Sequence, residues 1–260
     1  AIEAMRKSGA AKAAKKAGRV AAEGRIVIAE DAGDDAVIVE VNSETDFVAK
    51  DDNFTGFAEA VAVTVLENDP ASVDTLRELP LAGAEESVET ARTQLVARIG
   101  ENIDVRRFRV LRRDGDRIAT YLHGTRIGVL VDMSGGDDAL ARDIAMHIAA
   151  SRPLCISGED APAEELAKER EIVTSQAAES GKPPEIVEKM VEGRMRKYLE
   201  EITLVGQPFV KDPDTRVGKL LEQAGASVNT FVRYELGEGI EKDSVDFAAE
   251  VEAQVRQAGS

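Results

Sequence analysis

The chain has no tryptophan, one cysteine, two histidines, and aromatic residues at only 4% of its 260 positions. A lone Cys155 cannot close an internal disulfide, and one cysteine with two histidines cannot build a zinc cluster. No metal is therefore expected, and a reducing, cytoplasmic setting fits best. Cys155 reads as a small packing residue rather than a nucleophile. Apolar runs are short, as at Ile127 to Val131, and none approaches the roughly 18 to 20 residues of a membrane span. The first residues alternate Ala with Lys and Arg and carry no apolar h-region, so no secretory signal is expected.

Catalytic constellations are also missing. His123 and His147 belong to no HExxH pattern and have no cysteine nearby. His147, four residues after Asp143, reads as a satisfied surface histidine. There is no GxSxG elbow. Gly237-Glu-Gly239 lacks the third glycine of a phosphate-cradling loop and reads as a hinge. The 49 acidic residues give many carboxylate pairs, but none lies in a stretch apolar enough to raise a pKa. The expectation is a protein that is not an enzyme and needs no cofactor.

What the chain does have is negative charge, a net −16, which argues against nucleic acid as the main partner. Residues 1 to 29 oppose this trend, with seven Lys and Arg against two Glu, a local +5. Such an arm reads either as a solvated linker helix or as a contact for RNA or an acidic protein surface.

Hydrophobic periodicity predicts an α+β fold. Ala1 to Gly24 reads as helix. Ile26 to Ala29 and Ala36 to Val41 flank a turn and predict a hairpin. Helices follow at about Asn53 to Leu66 and Ala84 to Ile99, the second ended by Gly100. Strands are expected at Ile103 to Arg113, Arg117 to His123 and Ile127 to Met133, with Asp114-Gly115 as a hairpin turn between the first two. A helix over Asp137 to Ser151 completes a second sheet-plus-helix unit, giving two related antiparallel subdomains. Glu164 to Glu179, a break at Ser180 to Pro184, and a helix to Ile202 form an antiparallel hairpin or coiled coil. That module either closes on itself or supplies a homodimer surface. An extended Gln207 to Val210, a short helix at Thr215 to Gly225, a strand at Val228 to Leu236 and a C-terminal helix at about Ser244 to Gln257 follow. The units are then 1–24 (end of an N-terminal domain and linker helix), 25–106 (first core subdomain), 107–160 with 204–237 (second), 161–203 (hairpin) and 238–260 (C-terminal module).

Thr45-Asp46-Phe47-Val48-Ala49-Lys50-Asp51 admits two readings on local chemistry. Asp51 or Asp52 caps a helix and Phe47 staples it, or Asp46 and Phe47 form an exposed tip with an apolar wedge beside a carboxylate.

Across nearly its whole length the chain resembles the elongation factor Ts family. The resemblance rests on Met5-Arg-Lys-Ser-Gly9, Lys12-Ala-Ala-Lys-Lys16, Glu40-Val-Asn42, Thr45 to Asp51, Ile99-Gly-Glu-Asn-Ile103, His123-Gly with Arg126-Ile-Gly-Val-Leu130, and Ile144-Ala-Met-His147. Gly181-Lys-Pro183, Val191-Glu-Gly-Arg-Met195, Gly206-Gln-Pro-Phe-Val210 and Gly237-Glu-Gly-Ile-Glu241 continue it. It implies a partner, the GTPase elongation factor Tu, and guanine-nucleotide exchange. It implies too that the tip at Thr45, Asp46, Phe47 and Val48 acts near the partner's magnesium and phosphate site. By the same resemblance His123, Val210 and Phe247 touch the partner elsewhere, and Ala1 to Ser8 is the end of a three-helix N-terminal domain. A reading of another class is a dimeric scaffold or chaperone acting through the helical hairpin.

Overall fold

The computed structural model describes residues 11–31 and 35–241. Residues 11–16 are helical, but the helix expected to run to Gly24 stops there, and Glu23 and Gly24 already belong to the first strand. The expected end of an N-terminal domain at Ala1 to Ser8, the C-terminal helix at Ser244 to Gln257 and its Phe247 lie outside the described residues.

Two three-stranded antiparallel sheets form the body. The first has order β1 (Glu23–Glu30), β2 (Asp35–Ser43), β3 (Ile103–Arg112), and the second β4 (Arg117–His123), β5 (Ile127–Ser134), β8 (Ser227–Glu235). In both, a hairpin is followed by helix and then by a strand that pairs with the hairpin's second member. The fold is α+β, with a related plan in its two halves.

Helices α1 (Asp52–Asn68), α2 (Val73–Glu78) and α3 (Val88–Ile99) cover the first sheet, while α4 (Asp138–Ser151) and α7 (Val217–Gln223) cover the second. Period-two geometry explains how one strand serves two layers. Val37, Val39 and Val41 of β2 face α1, where Phe54, Phe57, Val61 and Val65 meet them at helical spacing. Ala36 and Ile38 face the other way and, with Ile26 and Leu111, pack against Leu130 of β5 and Leu236. The sheets thus pack face to face. Gly128 lets them approach, since a Cβ there would come within 2.6 Å of Ile26 Cγ2 and 2.7 Å of Ile38 Cδ1.

The expected β3–β4 hairpin is not formed. β3 pairs with β2 in the first sheet and β4 with β5 in the second, so Asp114-Gly115 is a crossing between sheets. Gly115 donates its amide to buried Asp132 of β5 (3.1 Å), and Asp116 donates its own to the Met133 carbonyl (2.8 Å). The physical reason is that β2, buried on both faces, needs a second edge partner, and β3 supplies it. The boundary placed at residue 106 falls inside β3. Helix α2 is an addition to the sequence reading, and α3 starts at Val88, where Ser87 caps it, rather than at Ala84. Gly100 ends it in the left-handed region, φ 90°.

Helices α5 (Ala163–Ala178) and α6 (Pro184–Ile202) form the antiparallel hairpin, with a core of Val173, Ala177, Val191 and Met195 flanked by Leu166, Val187, Met190 and Tyr198. Its base is pinned to the second subdomain: Leu154 donates to the Ile202 carbonyl (2.7 Å), Leu204 to Cys155 (2.8 Å) and Val205 to Ile156 (3.1 Å). A small hairpin, β6 (Pro208–Phe209) with β7 (Asp212–Arg216), follows. None of the helices in the described residues is long and apolar enough to cross a membrane.

Candidate functional site

Between β2 and α1 the chain makes one tight 3-10 turn, Val48–Lys50. Both sides of this turn are anchored. Upstream, Glu101 accepts from the Thr45 amide (3.0 Å) and hydroxyl (2.7 Å), and Ser43 Oγ donates to the Thr45 carbonyl (2.9 Å). Glu44 accepts the Asn102 amide at 2.6 Å. Downstream, Asp51 caps α1 by accepting from the Asn53 and Phe54 amides. Val48, expected beside Phe47 on the partner-facing tip, is instead buried with Ala49 in the first core, because the turn directs it inward.

Phe47 is left outside at the apex. Its exposure, 80%, exceeds that of every other exposed large apolar residue described, the next being 51%. Asp51 caps the helix as expected, but Phe47 does not staple it: the 3-10 turn leaves the ring in solvent while Val48 takes the inward position. A turn held at both ends that carries a bare aromatic ring has a cost in solvated apolar surface that the free protein never recovers. Beside it, Lys50 Nζ lies 2.9 Å from Asp46 Oδ2. That hydrogen bond and the lysine charge hold the Asp46 carboxyl below its usual range. The tip is an ionised carboxylate next to an apolar wedge.

A shallow groove flanks the tip, and among its lining residues are Asp46, Lys50, Arg25, Thr55, Thr125 and Arg126. The last two belong to the β4–β5 turn that follows His123. This turn is fastened to the first sheet, because Ile26 donates to the Thr125 carbonyl (2.8 Å) and Arg126 Nη1 lies 3.0 Å from Glu23 Oε2. His123 itself is exposed, with Nδ1 3.4 Å from the Tyr121 hydroxyl and the rings stacked at 6.5 Å. The tip and the His123 turn therefore border one groove.

Val210 is placed by another device. It is 42% exposed at the β6–β7 turn, and its amide donates to His147 Nδ1 at 3.2 Å. His147 corrects the sequence reading: it is satisfied, but fully buried rather than on the surface, because Ile144 and Ile148 of the α4 core stripe carry it inward. Its Nε2 lies 3.0 Å from Gln207 Oε1, and its ring packs on Phe209 at 5.9 Å. Phe247 lies outside the described residues.

Sequence reasoning missed Glu40, which is buried completely between the sheets. Burial alone would raise its pKa, but the Gly237 amide, Arg107 and Arg106 outweigh that and hold it below the usual carboxylate range. Among the described residues, no three His, Cys, Asp or Glu side chains gather as a group able to hold a metal ion.

With this geometry in view, the comparisons with known proteins are decisive. A family model described as Elongation factor TS matches residues 44–238. The chain is 61% identical over 259 residues to "Elongation factor Ts" of Thioalkalivibrio sulfidiphilus (strain HL-EbGR7), covering 99% of this chain and 88% of that one. The chain belongs to the elongation factor Ts family. Two further members, from Alkalilimnicola ehrlichii (strain ATCC BAA-1101 / DSM 17681 / MLHE-1) and Methylococcus capsulatus (strain ATCC 33009 / NCIMB 11132 / Bath), are 57% and 60% identical, each over 98% of this chain and 87% of its own length. As a member of the elongation factor Ts family, the chain is a translation elongation factor, and protein biosynthesis is its setting. The span matched to the family takes in the braced tip, the His123 turn, the helical hairpin and the Val210 turn.

Proposed function

We propose that this factor binds the GTPase elongation factor Tu in its GDP form, in the cytoplasm, and promotes GDP release by inserting the Asp46–Phe47 tip beside the magnesium and phosphate site. It acts without chemistry of its own. The single observation behind this reading is Phe47, an aromatic ring 80% exposed on a turn that is hydrogen-bonded on both sides.

An exchange factor must prefer the state in which the nucleotide grip is broken, since only a difference in affinity between two states shifts their populations. A thousandfold weakening of GDP requires roughly 4 kcal/mol. Burying Phe47 in the partner contributes about 1.5 to 3 kcal/mol. The wedge alone is too small, so contacts at Thr45, His123, Val210 and Phe247 hold the distorted partner while Phe47 separates its elements and Asp46 disturbs the magnesium electrostatics. Reciprocity follows: GDP weakens the factor by the same ratio.

The test is stopped-flow release of fluorescent GDP from the partner. Phe47→Ala slows release roughly tenfold to a hundredfold while the free factor melts as before. Unchanged release at matched concentrations would refute the wedge. The scaffold reading would have to rest on Ile172 and Ile186, which the hairpin leaves exposed, since Val173, Ala177, Val191 and Met195 are covered by its own two helices.

A further inference from the structure

Helix α4 grips the β6–β7 turn at two successive residues. Asp143 Oδ1 lies 2.5 Å from Lys211 Nζ, and one helical turn later His147 Nδ1 accepts the Val210 amide. The tautomer follows from the surrounding network. Gln207 Nε2 donates to the Glu201 carbonyl (2.7 Å) and the Ser151 carbonyl (3.2 Å), which leaves Oε1 to accept from His147 Nε2–H. Nδ1 therefore carries the lone pair that meets Val210, with the Ser151 hydroxyl a second neighbour at 3.4 Å. Protonation would place an N–H against an N–H.

We propose that His147 is a positioning residue for partner docking: in its neutral form it sets the pose of the exposed Val210 turn, and charging it releases that turn and weakens the complex. The inference rests on the reading of Val210 as a contact with the GTPase. Phe209 and the α4 core keep water from the ring, and burial holds the His147 pKa below the ordinary histidine value, against a smaller upward pull from Gln207. Charged groups on the neighbouring elements are already paired with one another. Asp143 of α4 meets Lys211 of the turn, Glu200 of α6 meets Arg216 of β7, and Glu235 of β8 meets Arg233 and Arg152. None of the hydrogen bonds to the imidazole in the described residues comes from a charged side chain. Among the described residues no carboxylate bonds the imidazole, so acidification breaks the Val210 bond rather than strengthening it.

Two substitutions separate the two nitrogens. His147→Asn keeps an acceptor near the Nδ1 position, whereas His147→Gln keeps a donor near Nε2 and loses the acceptor. Affinity for the nucleotide-free GTPase is measured from pH 5.5 to 7.5 for wild type, both variants and Val210→Ala, with Val210→Ala also placed in the His147→Gln background. The expected result is that His147→Gln weakens binding about fivefold to tenfold at neutral pH. His147→Asn should bind like wild type with a flatter pH profile, and the His147→Gln and Val210→Ala effects should overlap in the double variant rather than add. Independently of any partner, the Val210 amide of wild type should lose hydrogen-exchange protection, after correction for intrinsic rate, as pH falls below the histidine range. If Val210→Ala alone leaves affinity intact, the docking role of Val210 fails. If Val210→Ala weakens binding but His147→Gln does not, or the two effects add fully, the positioning role is overturned. Constant Val210 protection across the pH range also overturns it, whether or not either variant folds.

Discussion

Gly237 donates its amide to Glu40 Oε1 across 2.8 Å, although 197 residues separate the two in sequence. The same carboxylate takes Arg107 Nε at 2.6 Å and Arg106 Nη1 at 2.9 Å, and Arg107 in turn stacks over the Tyr234 ring at 4.2 Å. One side chain of β2 thereby ties β3 of the first sheet to the segment that leaves β8 of the second. Burial of a charge is tolerated here because every donor around it is aimed inward.

Removing that carboxylate leaves two guanidinium groups facing a gap. Glu40→Ala should cost about 3 kcal/mol in chemical denaturation at neutral pH. Because the folded pKa is depressed, the stabilisation is present above the unfolded carboxylate value and is lost as pH falls through the folded one. The difference between wild type and variant should therefore shrink as the pH is taken below the ordinary carboxylate range. A difference that stays constant with pH would show that shape, not charge, makes the tie.

Glu101 tests the bracing of the tip separately from the tip itself. It touches Thr45 twice and Phe47 not at all through hydrogen bonds. Glu101→Ala should lower stability by about 1 kcal/mol and slow GDP release, because ordering a loosened turn must then be met at docking. Glu101→Gln, which retains an acceptor, should recover most of the rate. Thermal melts and the stopped-flow assay on the same samples check both. If Glu101→Ala melts lower but exchanges as fast as wild type, the turn does not need to be preorganised.

How far the sequence carried the argument depends on whether a signal was local. Gly100 and Asp51 act through their own backbone neighbourhood and were readable. Glu40 was not, because β2 runs Ala-Val-Ile-Val-Glu-Val and nothing in that string says which face meets a second sheet carrying arginines. The Asp114-Gly115 turn has the chemistry of a hairpin, yet the partners of the strands beside it were set by burial of β2 and by Asp132, seventeen residues on from Gly115. His147 shares the stripe of Ile144 and Ile148, so its burial was legible in helical spacing and was overridden by the habit of placing histidine outside. For Phe47 local chemistry leaves both readings open and only the family resemblance points to the exposed tip; the 3-10 turn shows why, by turning Val48 inward.

The approach of the two sheets leaves no room for a side chain at Gly128 of β5. A methyl group there would meet Ile26 Cγ2 and Ile38 Cδ1 far inside contact distance. Gly128→Ala should lower stability by about 1 to 3 kcal/mol in urea unfolding, the usual cost of overpacking a filled core. Ile38→Val removes Cδ1 and should return part of the loss in the double variant, although it costs about 1 kcal/mol alone. Purely additive effects would place the clash elsewhere.

The helical hairpin offers the sharpest division between body and appendage. Its apolar residues Val173, Ala177, Val191 and Met195 face one another, so removing both helices together exposes no half of that core. The chain enters and leaves the module through neighbouring strands of backbone: Cys155 bridges Thr203 in parallel, and Leu204 and Val205 bond to Cys155 and Ile156. The gap a linker must span is therefore short. Replacing residues 163–201 with a short Gly/Ser linker should leave the two-sheet body folded and GDP release within about threefold of wild type, since the tip, the His123 turn and the Val210 turn all belong to that body. One coupling works against this expectation. Glu200 pairs with Arg216, and the Glu201 carbonyl accepts from Gln207, the residue that fixes His147. Extending the retained segment to begin at Glu200 keeps both. If the 163–201 replacement loses exchange and the form that retains Glu200 and Glu201 regains it, the hairpin contributes through its base. If neither form exchanges although both melt as cooperatively as wild type, the hairpin itself carries the activity and the tip is not the working part.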